Sequence, residues 1–144
     1  MFYNKKIAER FFPKGRKWYK NIKNIPSFFK AMNHLVEKGY DEYATWETFG
    51  WFIYTMKNIL TDYKKDHYGY PVIDFNLSDE ENIEKWEAII DKMLSLLDDM
   101  DENNEKYQYE GFDIAIEERN HMMQVEAKNE FFELFSEYFY NFWD

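Results

Sequence analysis

Residues 39–60, GYDEYATWETFGWFIYTMKNIL, join a helix stop, a helix start and the densest apolar face of the chain. Gly39 can take a positive φ after Lys38 and close the preceding helix, and Asp41 or Thr45 can accept from free backbone N–H groups to start the next one. A helix is therefore expected to begin between Asp41 and Thr45. From there Trp46, Phe49, Ile53, Met56 and Leu60 recur at helical spacing, and Trp51, Phe52 and Ile59 widen the stripe. That face is too broad for a surface helix, so this element is expected at the centre of the fold, with Trp46 in its core.

Upstream, Pro26 suits the first turn of a helix over residues 26–39, whose Phe28, Met32, Leu35 and Val36 share one face. Downstream, residues 67–82 read as a loop holding Tyr68, Tyr70 and Phe75. It ends in Ser78-Asp79-Glu80-Glu81, a capping box with acids in the first turn. Ile83, Trp86, Ile89, Ile90, Met93, Leu96, Leu97 and Met100 continue it at helical spacing. The acidic run 98–105 dissolves that pattern into a turn. Residues 107–144 are expected to form one long helix or two consecutive ones. Phe131, Phe135, Tyr138 and Phe142 lie on one stripe of that region and Phe132, Phe139 and Trp143 on the next, a tail that is either core or a homodimer interface. With no repeats and no strand alternation, the fold class is all-α, an irregular bundle of four or five helices. At 144 residues the chain is expected to be a single helical domain, with residues 1–25 a basic N-terminal arm packed on it or extending from it.

Charge divides the chain. Residues 1–38 carry 10 bases and 2 acids, a net +8, whereas residues 39–144 carry 8 bases and 26 acids, a net −18. The arm can pack on the acidic body and screen it, or bind an external polyanion. No cysteine is present, which removes disulfides, thiolate metal sites and thiol nucleophiles. The first residues contain no uninterrupted apolar run, and nothing approaches the roughly 20 apolar residues of a membrane span. A soluble, unprocessed protein of the bacterial cytoplasm is expected, with no membrane partner. Aromatic residues make up 22% of the chain, more than a core of this size needs, so several must reach the surface or an interface.

The catalytic signals are thin. Glu118-x-x-His121 places two metal-type ligands on one helix face, the half-site of di-iron bundles, but neither His34 nor His67 completes a second one. Glu84-x-x-Glu87 with Asp91, or Glu130-x-x-Glu133 with Glu137, could supply magnesium carboxylates to an all-α nucleotide pyrophosphohydrolase-like enzyme. Those spacings arise readily in so acidic a sequence and suit solvated outer faces. Ser27, Ser78, Ser95 and Ser136 sit where capping and filling are ordinary uses, and the five glycines are scattered with no phosphate loop. The sequence therefore implies no catalytic residue, no cofactor and no metal ion.

Binding is better supported. Arg10, Lys14, Arg16, Lys17, Lys20 and Lys23 interleave with Trp18 and Tyr19, joining phosphate-neutralising cations to rings that stack on bases. This is the composition that a small anionic nucleotide or a nucleic acid needs. The same composition describes a helix packed on an acidic bundle. The acidic body could present rows of carboxylates to a basic, nucleic-acid-binding host protein, although such a surface also serves simply to keep an aromatic-rich chain soluble.

KGYDEYATW at 38–46, GYP at 69–71, WEAIIDKM at 86–93 and the closing FFELFSEYFYNFWD together resemble a family of small helical proteins encoded by phages and prophages of Gram-positive bacteria. The resemblance spans roughly residues 38–144; the basic arm and the region around Gln108 to Gln124 depart from it. It implies a helical fold and a viral context, and no mechanism. The expectation is a phage-type binding protein, an accessory or counter-defence factor that sequesters or blocks a host protein.

Overall fold

The computed structural model describes residues 12, 22–40, 42–67 and 69–142, which contain four α-helices and no strand. The chain divides into two compact units, one running to Thr48 and one beginning at Phe49.

The first unit is built on α1 (Ile25–Lys38), preceded by a 3-10 turn at Ile22–Asn24. Pro26 stands in its first turn, where a missing N–H costs nothing. Gly39 ends it at φ 77°, donating its N–H to Leu35 O at 2.8 Å. Ala31 and Ala44 are buried, Phe28 meets Phe12 edge-on at 5.1 Å, and the His34 ring packs on Tyr40. Val36 does not join the face expected for it, being 81% exposed.

The helix expected to begin between Asp41 and Thr45 starts later. Residues Glu42–Thr45 form a 3-10 turn, and α2 (Thr48–Asp66) follows, with the Thr48 hydroxyl donating back to Ala44 O at 2.9 Å. Trp46 is thus outside the helix whose stripe it extends in sequence. It is 88% exposed and does not belong to the core.

The second unit is a three-helix bundle of α2, α3 (Asp79–Met100) and α4 (Ile114–Tyr138). Its pairings fix the directions. Lys57 pairs with Asp98 and Lys64 with Asp91, so α3 runs antiparallel to α2. Lys92 pairs with Glu130, and Trp86 packs on Tyr138, so α4 runs antiparallel to α3. Consequently α2 and α4 are parallel, with Phe52 against Phe131 near one end and Tyr63 against Phe142 near the other.

The core follows the expected α3 stripe: Trp86, Ile90, Met93, Leu97 and Met100 are buried there, joined by Ile53 and Leu60 from α2 and by Ala127 and Phe131 from α4. The capping box is formed. Ser78 Oγ accepts from the Glu81 N–H at 3.2 Å, and a Glu81 carboxylate oxygen accepts from the Ser78 N–H at 2.9 Å. The aromatic tail resolves into a single 25-residue helix and a 3-10 turn at Phe139–Asn141. Phe131 is buried and Phe135, Tyr138 and Phe142 pack against the core, while Phe132 and Phe139 stay about half exposed. Among the described residues no helix is long and apolar enough to cross a membrane.

Candidate functional site

Of the arm residues expected to bind an anion, Arg10, Lys14, Arg16, Lys17, Trp18, Tyr19 and Lys20 lie outside the described residues. Lys23 is exposed on the 3-10 turn that precedes α1.

The carboxylate sets lie on outer helix faces. Glu84 and Asp91 are exposed and Glu87 half-buried on α3, with Asp91 paired to Lys64 at 2.6 Å; Glu130, Glu133 and Glu137 are exposed on α4, with Glu130 paired to Lys92 at 2.9 Å. Glu118 and His121 are likewise exposed on α4. Among the described residues no three His, Asp or Glu side chains converge as metal ligands would. Ser78 caps α3, and Ser27, Ser95 and Ser136 are exposed.

Two acidic rows result from helical spacing. Glu80, Glu84, Asp91 and Asp98 run down the outside of α3, and Glu126, Glu130, Glu133 and Glu137 down α4. On α4 the steps of four, three and four residues put about one carboxylate on each turn, or one per ~5.4 Å, whereas on α3 the steps of four, seven and seven leave most of the row with about one carboxylate per two turns. Residues 49–144 carry 23 acids against 8 bases, a net −15, so the rows lie in a net negative field even though Asp91, Asp98 and Glu130 are paired with Lys64, Lys57 and Lys92.

A second feature was not legible in the sequence. Where α3 hands the chain to α4, a cleft of about 450 Å³ opens among polar side chains. It is lined by Glu102 and Asn103 of the turn, by Tyr107 and Tyr109, and by Glu117, Asn120, His121 and Gln124 from the first half of α4.

Local hydrogen bonds hold the turn in shape. Asp101 Oδ1 accepts from the Asn103 N–H at 2.9 Å, Asn104 Nδ2 donates to Asp98 O at 2.8 Å, and the Tyr107 hydroxyl donates to Asp99 O at 2.6 Å. Gly111, at φ 88°, provides the left-handed residue that sends the chain back toward α4. Asp113 then caps α4, accepting from the Ala115 N–H at 2.9 Å.

Two side chains inside the cleft are fixed. The Tyr109 hydroxyl donates to Glu117 Oε1 at 2.8 Å and accepts from the Asp113 N–H at 3.3 Å. The Asp113 backbone favours the phenolate, but burial and the neighbouring Glu117 carboxylate outweigh it, so the phenol ionises above its ordinary range. Asn120 is buried and donates to Tyr107 O at 3.2 Å; among the described residues its carbonyl oxygen meets only the Arg119 guanidinium, at 3.5 Å.

The region around Gln108 to Gln124 contributes most of this lining. The Glu118-x-x-His121 spacing signals only an incomplete metal half-site, and the cleft is lined by Glu117, Asn120 and His121 together with the preceding turn, not by Glu118. No protein-family model matches this chain, and no curated protein and no solved structure matches it.

Proposed function

We propose that this chain is a phage-type binding protein, an accessory or counter-defence factor that acts by occupying the basic surface of a host protein. The observation that carries the reading is the pair of carboxylate rows on α3 and α4, set on rigid helices in a unit of net charge −15. A rigid array of like charges raises the rate of encounter with a basic surface and selects against acidic partners. A nucleic-acid-binding protein offers such a surface, since it must itself face a polyanion.

The test is competition. A basic DNA-binding protein of a bacterial host is titrated with the chain in the presence and absence of duplex DNA, at low and at physiological salt. DNA and the chain should exclude one another, and affinity should fall with salt. A variant carrying Glu126→Gln, Glu130→Gln, Glu133→Gln and Glu137→Gln should bind at least about tenfold more weakly. Binding insensitive to both salt and the variant would remove the acidic rows from the interface.

A further inference from the structure

We infer that the cleft between the α3–α4 turn and the first half of α4 receives the guanidinium group of an arginine side chain, presented by the basic partner proposed above. The inference rests on that binding reading and gives it a specific anchor point.

Charge decides the sign of the ligand. Glu102 and Glu117 line the cleft; of the cations beside it, Lys106 is paired with Asp99 and Arg119 reaches Asn120 at 3.5 Å, so an anion meets two carboxylates that are only partly offset. Polarity decides the class. Small-molecule sites of this volume are ordinarily lined by apolar side chains. Here the walls are carboxylates, amides and phenols, on which an apolar ligand would gain little. A bare metal ion is disfavoured because no three of the described His, Asp and Glu side chains converge on one point.

An organic cation remains, and the acceptors favour a planar one. Glu117 holds Tyr109 through one carboxylate oxygen and keeps the other for a donor. Asn120, buried, has a carbonyl oxygen that among the described residues meets only the Arg119 guanidinium, at the 3.5 Å limit, so one of its two lone pairs is left for a further donor. Guanidinium carries five donors in a fixed fork, sheds water more easily than ammonium, and stacks on aromatic rings. The chain itself already seats a cation on an aromatic beside this cleft: Lys106 Nζ lies 4.7 Å from the Tyr107 ring centroid while paired with Asp99. Tyr109 is the second ring, half-buried and locked by its hydroxyl, ready for the same use by an incoming group. Because these groups are positioned before any ligand arrives, little ordering is needed on binding.

The test uses N-acetyl-L-arginine amide as probe, with N-acetyl-L-lysine amide beside it, followed by backbone and side-chain NMR shifts. The arginine compound should shift Tyr109, Asn120 and Gln124 saturably and bind more tightly than the lysine compound. Glu117→Gln and, separately, the exposed-wall change Glu102→Gln should each weaken it at least about tenfold. Both variants are checked for parent-like circular dichroism, and Glu102 makes no helix-holding contact, so at least one of them reports on binding alone. No saturable shift in the parent protein, or equal shifts from both compounds spread along the α3 and α4 rows, overturns the inference.

A hexa-arginine peptide separates this idea from the broader one. If the fourfold Glu→Gln variant on α4 abolishes peptide binding and Glu117→Gln leaves it unchanged, the cleft inference fails and the acidic-surface reading stands. If the arginine amide fills the cleft but the basic DNA-binding protein does not bind the chain, the cleft stands and the proposed function fails.

Discussion

Asn82 holds both backbone polar groups of Asp74: its Oδ1 accepts from the Asp74 N–H at 3.0 Å and its Nδ2 donates to Asp74 O at 3.1 Å. The same amide also accepts from the Ile73 N–H and donates to Ser78 O, both at 3.0 Å. One buried side chain on the first turn of α3 thus fastens the loop that brings the chain from α2. Asn82→Ala should cost about 2–3 kcal/mol, because it strands several backbone groups away from water. Urea unfolding measures this, and a cost below about 0.5 kcal/mol would mean the loop satisfies itself by other means.

The two tryptophans Trp86 and Trp46 should behave oppositely. Trp86 is fully buried and touches Tyr138 and Phe142 at ring separations of 5.6 and 5.2 Å, so Trp86→Ala should cost about 3–5 kcal/mol. Trp46→Ala, at a site 88% exposed, should stay within about 0.5 kcal/mol of the parent. Chemical denaturation of both variants settles it, and equal losses would contradict the placement of Trp46.

Asp74 predicts a pH dependence. Hydrogen bonds from the Asn76 N–H and from the Asn76 side chain, both at 2.9 Å, hold its carboxyl below the ordinary value of 3.8, with Lys85 adding attraction. A depressed folded value means the stabilisation is present above 3.8 and is lost as pH falls through the folded value. The stability difference between the parent and Asp74→Asn should therefore shrink on acidification below about pH 4. A difference that is flat from neutral pH into that range would show that the charge contributes nothing.

Lys64 and Asp91 form an exposed pair, and exposed pairs contribute little. Lys64→Met should change stability by no more than about 1 kcal/mol, with the change smaller in high salt. A larger, salt-independent loss measured by thermal unfolding would mean that the lysine stem, not its charge, packs on the bundle.

The sequence made α3 legible because two independent signals coincide there: the Ser78–Glu81 capping box marks its start, and the apolar spacing from Trp86 to Met100 marks its buried face. The start of α2 was misread because Asp41 and Thr45 are both competent caps, while the local choice fell to a 3-10 turn that spacing cannot foresee. That turn takes Trp46 out of phase with the helix it precedes. The cleft was illegible for a different reason. Its members come from a turn and from a helix more than a dozen positions away, and they include amides and phenols that serve equally well on any wet surface. Only tertiary placement distinguishes Asn120, buried and bonded to Tyr107 O, from its exposed neighbours.

The parallel course of α2 and α4 bears on the order of assembly. Ties within the loops are short: Asn82 reaches Asp74 across 8 positions and Asn120 reaches Tyr107 across 13, so each hairpin can zip from its own turn. The tie between α2 and the 3-10 turn that follows α4, Tyr63 to Asn141, spans 78 positions and has no turn of its own to start it. Closing the larger span costs more chain entropy, and it becomes affordable once α3 has brought both flanking helices alongside itself. Contacts such as Phe52 with Phe131 are therefore expected to form after the rate-limiting step. Phe52→Ala should then speed unfolding and leave the refolding rate nearly unchanged, whereas Leu97→Ala, inside the α3 core, should slow refolding.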